Sequence, residues 1–394
     1  MKVGILGQGA SGIFLALMLK FENEKVDVTI IDKNANPGRK FLATGNGRCN
    51  LGNLEIKDNS YNCEAVGQIV RDFDWTKQEE FFKNIGVLTR NIGNLVYPFS
   101  LSAKSLLDYL VDFAKQNKVK FVSNENLLDY ELVNGKVKVT TSKKTFSFDK
   151  FVIACGNASG PQLGGSTSVL SVLEKKGYKV VESRPGLCPV RVEENTKIVE
   201  NQRVKCDVTL IIDKKETYKE TGEVLFKKDG LSGIAIFNTS SIIARSSKFK
   251  KAIIRLDLFP DKTTDELYKE LTLLNVISQK SLLSGIFTKE IAEFVRRNSG
   301  IKNLNTYTAS ELKKLALYLK NIDFTYKESY GFNDSQVSVG GVKLDCLTES
   351  LESKTEKNVF IIGEALNADG LCGGFNLMFA MASGHKALDE ILKE

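Results

Sequence analysis

The chain has 394 residues, 42% of them apolar and 26% charged, with a formal net charge of +7. At roughly 100–200 residues per domain this is enough for two or three domains with a sizeable core, and it excludes disordered, collagen-like and coiled-coil chains. Basic residues are spread along the chain and mixed with acids, and the densest patch, Lys248, Lys250 and Lys251, is short, so the charge reads as a lysine-rich solvated surface and no nucleic-acid partner is expected. Met1 is followed at once by the apolar run Val3, Ile5 and Leu6, which predicts a strand over 2–6 and leaves no room for a signal peptide. Gly7 to Gly12 form a glycine-rich turn, and the apolar residues from Ile13 to Leu19 predict a buried helix over 13–20. A β-branched run over 26–31 predicts a second strand ending at Asp32. Residues 33–53, rich in Gly, Asn and Arg, read as a loop, and 64–117 as mainly helical with a break near Pro98 and a cap at Ser102 or Ser105. Short strands with an Asn134-Gly135 hairpin turn occupy 119–148, and a strand over 151–155 runs into Gly156.

After Pro185 the character changes. Residues 186–262 read as a β-rich insert and 263–330 as its helical part. From about residue 335 an α/β pattern returns, with a strand over 359–362, a glycine-rich loop over 363–374 and a helix over 375–392. The simplest organisation is one α/β domain, residues 1–185 plus 331–394, interrupted by the insert. Seven cysteines without any C-x-x-C pair are expected to be reduced thiols of a cytoplasmic protein. With a single histidine, His385, no metal site is expected. No apolar run approaches the ~18 residues of a membrane span.

Gly7-Gln8-Gly9-Ala10-Ser11-Gly12 fits G-x-G-x-x-G. The first glycine permits a tight turn, the second lets backbone approach a pyrophosphate, and the third lets helix and strand pack closely. The helix N-terminus offers free N–H groups and the positive end of its dipole. This motif alone is weak. Here it follows a strand, opens a helix, and is followed at the expected distance by Asp32 and Lys33, the acid placed for a ribose hydroxyl. Gly38, Arg39 and Lys40 come next, then Thr44, Gly45, Asn46, Gly47, Arg48, Cys49 and Asn50. A simple NAD dehydrogenase moves on to another helix at this point, whereas an FAD protein runs such a loop back along its cofactor. Arg39 offers a forked donor to a pyrophosphate. Ala154 and Gly156 belong to a segment that resembles the strand and turn flavoproteins place beside the adenosine half. Gly363 and Glu364 end a segment that resembles the strand whose terminal acid, usually Asp, binds the ribityl chain in such proteins. Asp369, Gly370, Gly373, Gly374, Phe375 and Asn376 open the last helix, whose N-terminus favours negative charge on a reduced ring.

These segments resemble a bacterial family of FAD-dependent flavoproteins, the NAD(P)/FAD-dependent oxidoreductases that include aminoacetone-oxidase-like and dehydro-bile-acid-reductase-like members. The resemblance is carried by "GRKFLATGNGRCN" at 38–50, "VIACGNASGPQLGGST" at 152–167, "VSVGGVKL" at 337–344 and "GEALNADGLCGGFNLMFAMASGHKA" at 363–387. It implies a glutathione-reductase-like Rossmann FAD-binding domain interrupted by a β-barrel-like insert with a helical segment. It also implies a redox flavoenzyme acting on a small organic substrate, with NAD(P)H as a transient donor. A plain NAD-dependent dehydrogenase and a flavoprotein serving tRNA are the alternatives. Lys227, Lys228, Ile234, Asn157 and Asn367 depart from the family's usual residues, which bears on substrate more than on FAD. No residue stands out as catalytic. Cys49 beside Arg48 reads as a small buried residue rather than an activated thiol. Tyr97 reads equally as a proton donor or as core, and His385 as a packed helix residue.

Overall fold

A computed structural model describes residues 1–246, 248–278, 282–301 and 307–393. Strand β1 (Lys2–Leu6) is the centre of a five-stranded parallel sheet in the order 359–361, 150–153, 2–6, 27–31, 120–122. Parallel strands are buried on both faces and read as continuous apolar runs. Accordingly Val3, Ile5, Val28, Ile30, Val152 and Phe360 are sealed from solvent. Helix α1 (Ala10–Glu22) follows β1 and is buried from Ser11 to Lys20. It packs against the final helix, Phe375–Leu392, where a Cβ added to Gly384 would sit 3.4 Å from that of Leu15. Strand β2 (Asp27–Ile31) then delivers Asp32 to the same end of the sheet as the glycine turn.

Three local expectations are corrected. Helix α1 begins at Ala10 and not at Ile13, because Gly9 already takes the extended N-cap conformation. Residues 33–53 are not a plain loop: they hold a short helix, Arg39–Ala43, a 3₁₀ turn, Thr44–Gly47, and a short strand, Gly52–Asn53. Phe41 anchors that helix by packing edge-on against Phe14, with ring centres 6.1 Å apart. The region 64–117 contains helices Glu64–Asp72, Trp75–Asn84 and Ala103–Gln116, but an antiparallel hairpin, Thr89–Ile92 with Leu95–Pro98, separates the last two. Its turn is set by Gly93 at φ 59°, and Gly52–Asn53 adds a third strand. Ser102 is the cap of the following helix, accepting from the Ser105 N–H.

The chain divides into two compact units, Met1–Arg184 with Gln336–Glu394, and Pro185–Ser335. The second unit contains a closed antiparallel barrel in the order 190–192, 230–232, 215–227, 203–212, 252–257, 322–329. Along Ala252–Asp257 buried and half-exposed residues alternate, as a barrel wall requires, so that Ala252, Ile254 and Leu256 face the core. Two expectations fail here. Helix Ile234–Arg245 lies inside the stretch read as β-rich, and strand Ile322–Ser329 lies inside the stretch read as helical. That strand closes the barrel by pairing with both Ala252–Asp257 and Val190–Val192, a long-range role that a local pattern does not carry. Helices Thr264–Ser278, Lys289–Asn298 and Ala309–Leu319 account for the helical part; positions 279–281 and 302–306 of that stretch lie outside the described residues.

Phe324 is sealed in the second unit's core, its ring centre 6.0 Å from Phe226 and 6.1 Å from Phe294. Phe324→Ala is expected to cost ~3–5 kcal/mol of stability through lost contact and a residual cavity. Urea unfolding checks this, and a loss below ~1 kcal/mol would remove the ring from the core. In the first unit His385 stacks on Phe73 with ring centres 3.9 Å apart. Burial holds its imidazole below the ordinary value of 6.5, with nearby Asp389 acting in the opposite direction. Because the folded value is depressed, the unfolded chain takes up the proton first as pH falls. The stability involved is therefore present above about pH 6.5 and is lost as pH drops below it. His385→Gln is expected to flatten the fall in Tm between pH 7.5 and 5, and an unchanged slope would contradict this origin.

Candidate cofactor site

The turn between β1 and α1 is shaped by what its glycines touch. Gly7 has φ +119°, and a Cβ there would lie 2.2 Å from the Ala154 carbonyl oxygen. A Cβ on Gly12 would lie 2.0 Å from the Gly7 carbonyl oxygen. Gly9 differs, since nothing stands within 4 Å of the position its Cβ would take. Helix α1 has no side-chain cap, so the N–H groups of its first turn, at Ala10, Ser11 and Gly12, have no intrahelical acceptor. A backbone that is open at Gly9, directly before those N–H groups, fits the phosphates of a dinucleotide.

Asp32 holds this turn from the next strand. One carboxylate oxygen accepts from the Gln8 N–H at 2.8 Å; the other accepts from the backbone N–H of Asn34 at 2.7 Å and its side-chain amide at 2.9 Å. Lys33, beside it, is half-buried. The Gly38 N–H donates to the Gln8 carbonyl at 2.9 Å, and the exposed Arg39 reaches the Asn34 side chain and, at 2.7 Å, the Gln162 carbonyl.

A polar node lies further along. Lys40 Nζ donates to Glu364 Oε2 and to Ser159 Oγ, each at 2.5 Å. Glu364 Oε1 accepts from Ser159 Oγ and from the Ser338 N–H, each at 2.8 Å. Ser338 Oγ in turn accepts from the Ser159 N–H at 2.8 Å. Gly156, at φ +70°, faces Glu364, and Gly363 lies against the Ser11 hydroxyl. The lysine and glutamate side chains are 31% and 22% exposed, and they are bonded to each other, to the Ser159 hydroxyl and, for the glutamate, to the Ser338 N–H.

The third cluster joins the 44–53 segment to the start of the final helix. The Cys49 N–H donates to the Thr44 carbonyl at 3.0 Å, and the Arg48 N–H to the Gly45 carbonyl at 3.2 Å. With its amide oriented to satisfy both sides, Asn50 donates to the carbonyls of Gly52 and Val96 and accepts from the Gly374 N–H at 3.2 Å. Asn53 donates to the Gly373 carbonyl at 3.1 Å. Asn376 ties down Gly370 with one bond in each direction, and the Tyr61 hydroxyl donates to the Phe375 carbonyl at 3.0 Å. Asp369 is buried, its backbone bonded to Asn62. Asn46, Gly47 and Arg48 are exposed. Cys49 is sealed, and burial pushes its thiol up to about 12, so it stays protonated near neutral pH.

The residues expected from the sequence to bind a cofactor lie in these three clusters or beside them in the chain, whereas Lys227, Lys228 and Ile234 belong to the second unit and His385 stacks on Phe73. The sequence reading missed Ser159, whose hydroxyl donates to Glu364, and Ser338, whose backbone N–H does so while its hydroxyl accepts from the Ser159 N–H. Both lie in stretches that carry the family resemblance, at 152–167 and 337–344. It also missed Gln8, Asn34, Asn53 and Tyr61, which act through backbone contacts that only the folded chain displays. Among the described residues no group of three or more His, Cys, Asp or Glu is placed to hold a metal ion, and no helix is long and apolar enough to cross a membrane.

The chain is a flavoprotein oxidoreductase with a Rossmann-class fold. The chain belongs to the family described as the HI0933-like protein Rossmann domain, which it matches over residues 1–389. It is 28% identical over 401 residues to a 3-dehydro-bile acid delta(4,6)-reductase of Clostridium scindens, covering 98% of each chain. It is 24% identical to a ribosomal RNA dihydrouridine synthase of Escherichia coli, covering 98% of this chain and 97% of the other. A 3-ketosteroid delta1-dehydrogenase from Sterolibacterium denitrificans shares the fold, with a TM-score of 0.50 at 9% identity over 99% of this chain and 98% of that one.

The two glycines separate folding from binding. Gly9→Ala meets no protein atom and is expected to leave Tm unchanged while weakening FAD binding by roughly tenfold or more, about 1.4 kcal/mol. Gly12→Ala is expected to lower Tm as well, because its Cβ would collide with backbone. Calorimetric titration with FAD and thermal melts check both. Equal affinities for Gly9→Ala and wild type would place the phosphates elsewhere.

Proposed function

We propose that the chain binds FAD along the line of the three clusters and uses it to saturate a carbon–carbon double bond conjugated to a carbonyl group. The observation that carries the reading is the open, uncapped N-terminus of α1 at Gly9. On this reading Gly7, Gly9, Ala10, Ser11 and Gly12 receive the pyrophosphate, and Asp32 and Lys33 lie at the adenosine end with Gly38, Arg39, Ala154 and Gly156. Lys40, Gly363 and Glu364 serve the ribityl region, the ammonium offsetting phosphate charge while Glu364 and Ser159 hold it in place. Thr44 to Asn50 and Asp369 to Asn376 frame the ring, and the N-terminus of the final helix stabilises negative charge there. When bound, FAD supplies the hydride chemistry, with NAD(P)H as the donor that reloads it.

The substrate class is suggested by the relatives' names. A 3-dehydro, delta(4,6) bile acid carries a ketone in conjugation with two double bonds. Making dihydrouridine from uridine saturates a double bond conjugated to a ring carbonyl. Both names describe hydrogen added across an alkene made electron-poor by a carbonyl. A small enone is the first reading. Uridine within ribosomal RNA is the second, favoured by the Escherichia coli relative's name and by the net charge of +7.

The test begins with the visible spectrum of the purified protein and identification of any nucleotide released by heat. A flavin spectrum with FAD released is expected, followed by anaerobic bleaching with NADH or NADPH. A colourless protein that binds NAD(H) but not added FAD would replace this reading with a plain dehydrogenase. Strongly salt-dependent binding of ribosomal RNA would select the second substrate reading.

A further inference from the structure

We propose that Tyr97 is the acid that completes the reduction by delivering a proton to the substrate's α carbon. This rests on the reading of the chain as an FAD-dependent reductase of conjugated alkenes.

Tyr97 lies on the hairpin strand Leu95–Pro98, opposite Arg90. Its neighbour Val96 accepts from the Leu51 N–H and pairs with Gly52, so the strand is bolted to the 44–53 segment. The residue is only 4% exposed. A phenol buried to this degree ordinarily donates to a fixed acceptor. The other deeply buried tyrosines of this unit do: Tyr61 donates to the Phe375 carbonyl, and Tyr130 and Tyr178 to Glu356. The Tyr97 hydroxyl has no hydrogen-bond partner among the described residues, and its oxygen is not among the sealed orphans, which are Gln78 Oε1, Arg90 Nε, Thr196 Oγ1 and Ser299 Oγ. Its hydroxyl is therefore neither committed to a protein acceptor nor fully sealed, although the residue is buried.

The surroundings match the task. Gly45 leaves the ring edge uncovered: a Cβ there would lie 3.5 Å from Tyr97 Cε1. The Arg48 guanidinium carbon stands 5.4 Å from the ring centre. A cation at that distance stabilises the phenolate left once the proton has moved. The other proton-bearing groups considered are elsewhere or committed: His385 is stacked on Phe73, the Cys49 thiol is sealed, and Lys40 is bound to Glu364 and Ser159.

The step balances as follows. FAD held in this site in its anionic reduced form would supply the hydride for the new C–H bond at the alkene's β carbon, leaving neutral oxidised FAD. The π pair of the double bond takes the Tyr97 proton at the α carbon, and the O–H bond of Tyr97 breaks. Water restores that proton, and a reduced nicotinamide supplies the two electrons of the next cycle.

The test uses FAD-loaded wild type and Tyr97→Phe, each reduced anaerobically and then mixed with a 3-oxo-4,6-diene bile acid and, separately, with unmodified ribosomal RNA. Reoxidation of the flavin by whichever alkene serves wild type is expected to slow by on the order of 10²–10⁴-fold in Tyr97→Phe. Reoxidation by ferricyanide, which needs no proton delivered to carbon, is expected to stay the same, as is the affinity of the oxidised protein for the saturated product read from its flavin spectrum. Alkene reoxidation at the wild-type rate would overturn the proposal. Loss of ferricyanide reoxidation and product binding in parallel would also overturn it, by showing a structural role. If ferricyanide but neither alkene reoxidises wild type, the conjugated-alkene reading itself fails and Tyr97 loses this role with it.

Discussion

The contact on which the rest depends is the closure of the turn at the tip of β1. There the Gly7 carbonyl fills the space where a Gly12 side chain would stand, and Gly7 itself lies against the Ala154 carbonyl of the neighbouring strand. Three pieces of backbone approach more closely than any Cβ allows. The consequence is mechanical: helix α1 starts directly after the central strand, with its N-terminus at the carboxyl end of the parallel strands. Asp32 then fixes the turn from the next strand by accepting from Gln8 and Asn34 together. Gly9, left without neighbours, is where a ligand's phosphates can meet that helix end.

From this point the site extends through polar contacts between segments far apart in the chain. Lys40, Ser159, Ser338 and Glu364 come from four separate stretches, yet every oxygen of Glu364 is answered. A charged pair at this depth recovers its desolvation cost only when each partner is also hydrogen-bonded, and here the two serines meet that condition. The third cluster uses a different device. Asn50, Asn53 and Asn376 satisfy backbone groups of two glycine-rich loops that have no regular partners of their own. Side-chain amides suit this because each carries both donor and acceptor. The result is a rigid frame around the start of the final helix, built from loops that a sequence alone would leave unordered.

How much of this was legible varies with the range of the interaction. The turn from Gly7 to Gly12, the strands that flank it and the acid at Asp32 obey local rules, and reading them needed only the spacing of glycines and apolar residues. The final helix was equally plain. The hairpin over 89–98 was not, because its short strands sit between two amphipathic helices and are stabilised by pairing with Gly52–Asn53. The strand Ile322–Ser329 was hidden for the same reason, since its partners lie up to about a third of the chain away. Ser159 and Ser338 have no distinguishing composition; their importance exists only once both face Glu364.

The amino-acid sequence by itself determined the α/β class, the position of the glycine turn, the interruption of that domain by an insert, and the candidate residues proposed for a cofactor site. These follow from periodicity, glycine sterics and helix-end electrostatics, all of which act within a few residues. Only the tertiary structure decided that the insert's strands close into a six-stranded barrel, that Cys49 is sealed while the Tyr97 hydroxyl is left without a protein partner, and that Lys40 and Glu364 meet. Those outcomes depend on which distant surfaces exclude water from one another, and that is set by packing of the whole unit rather than by any local pattern.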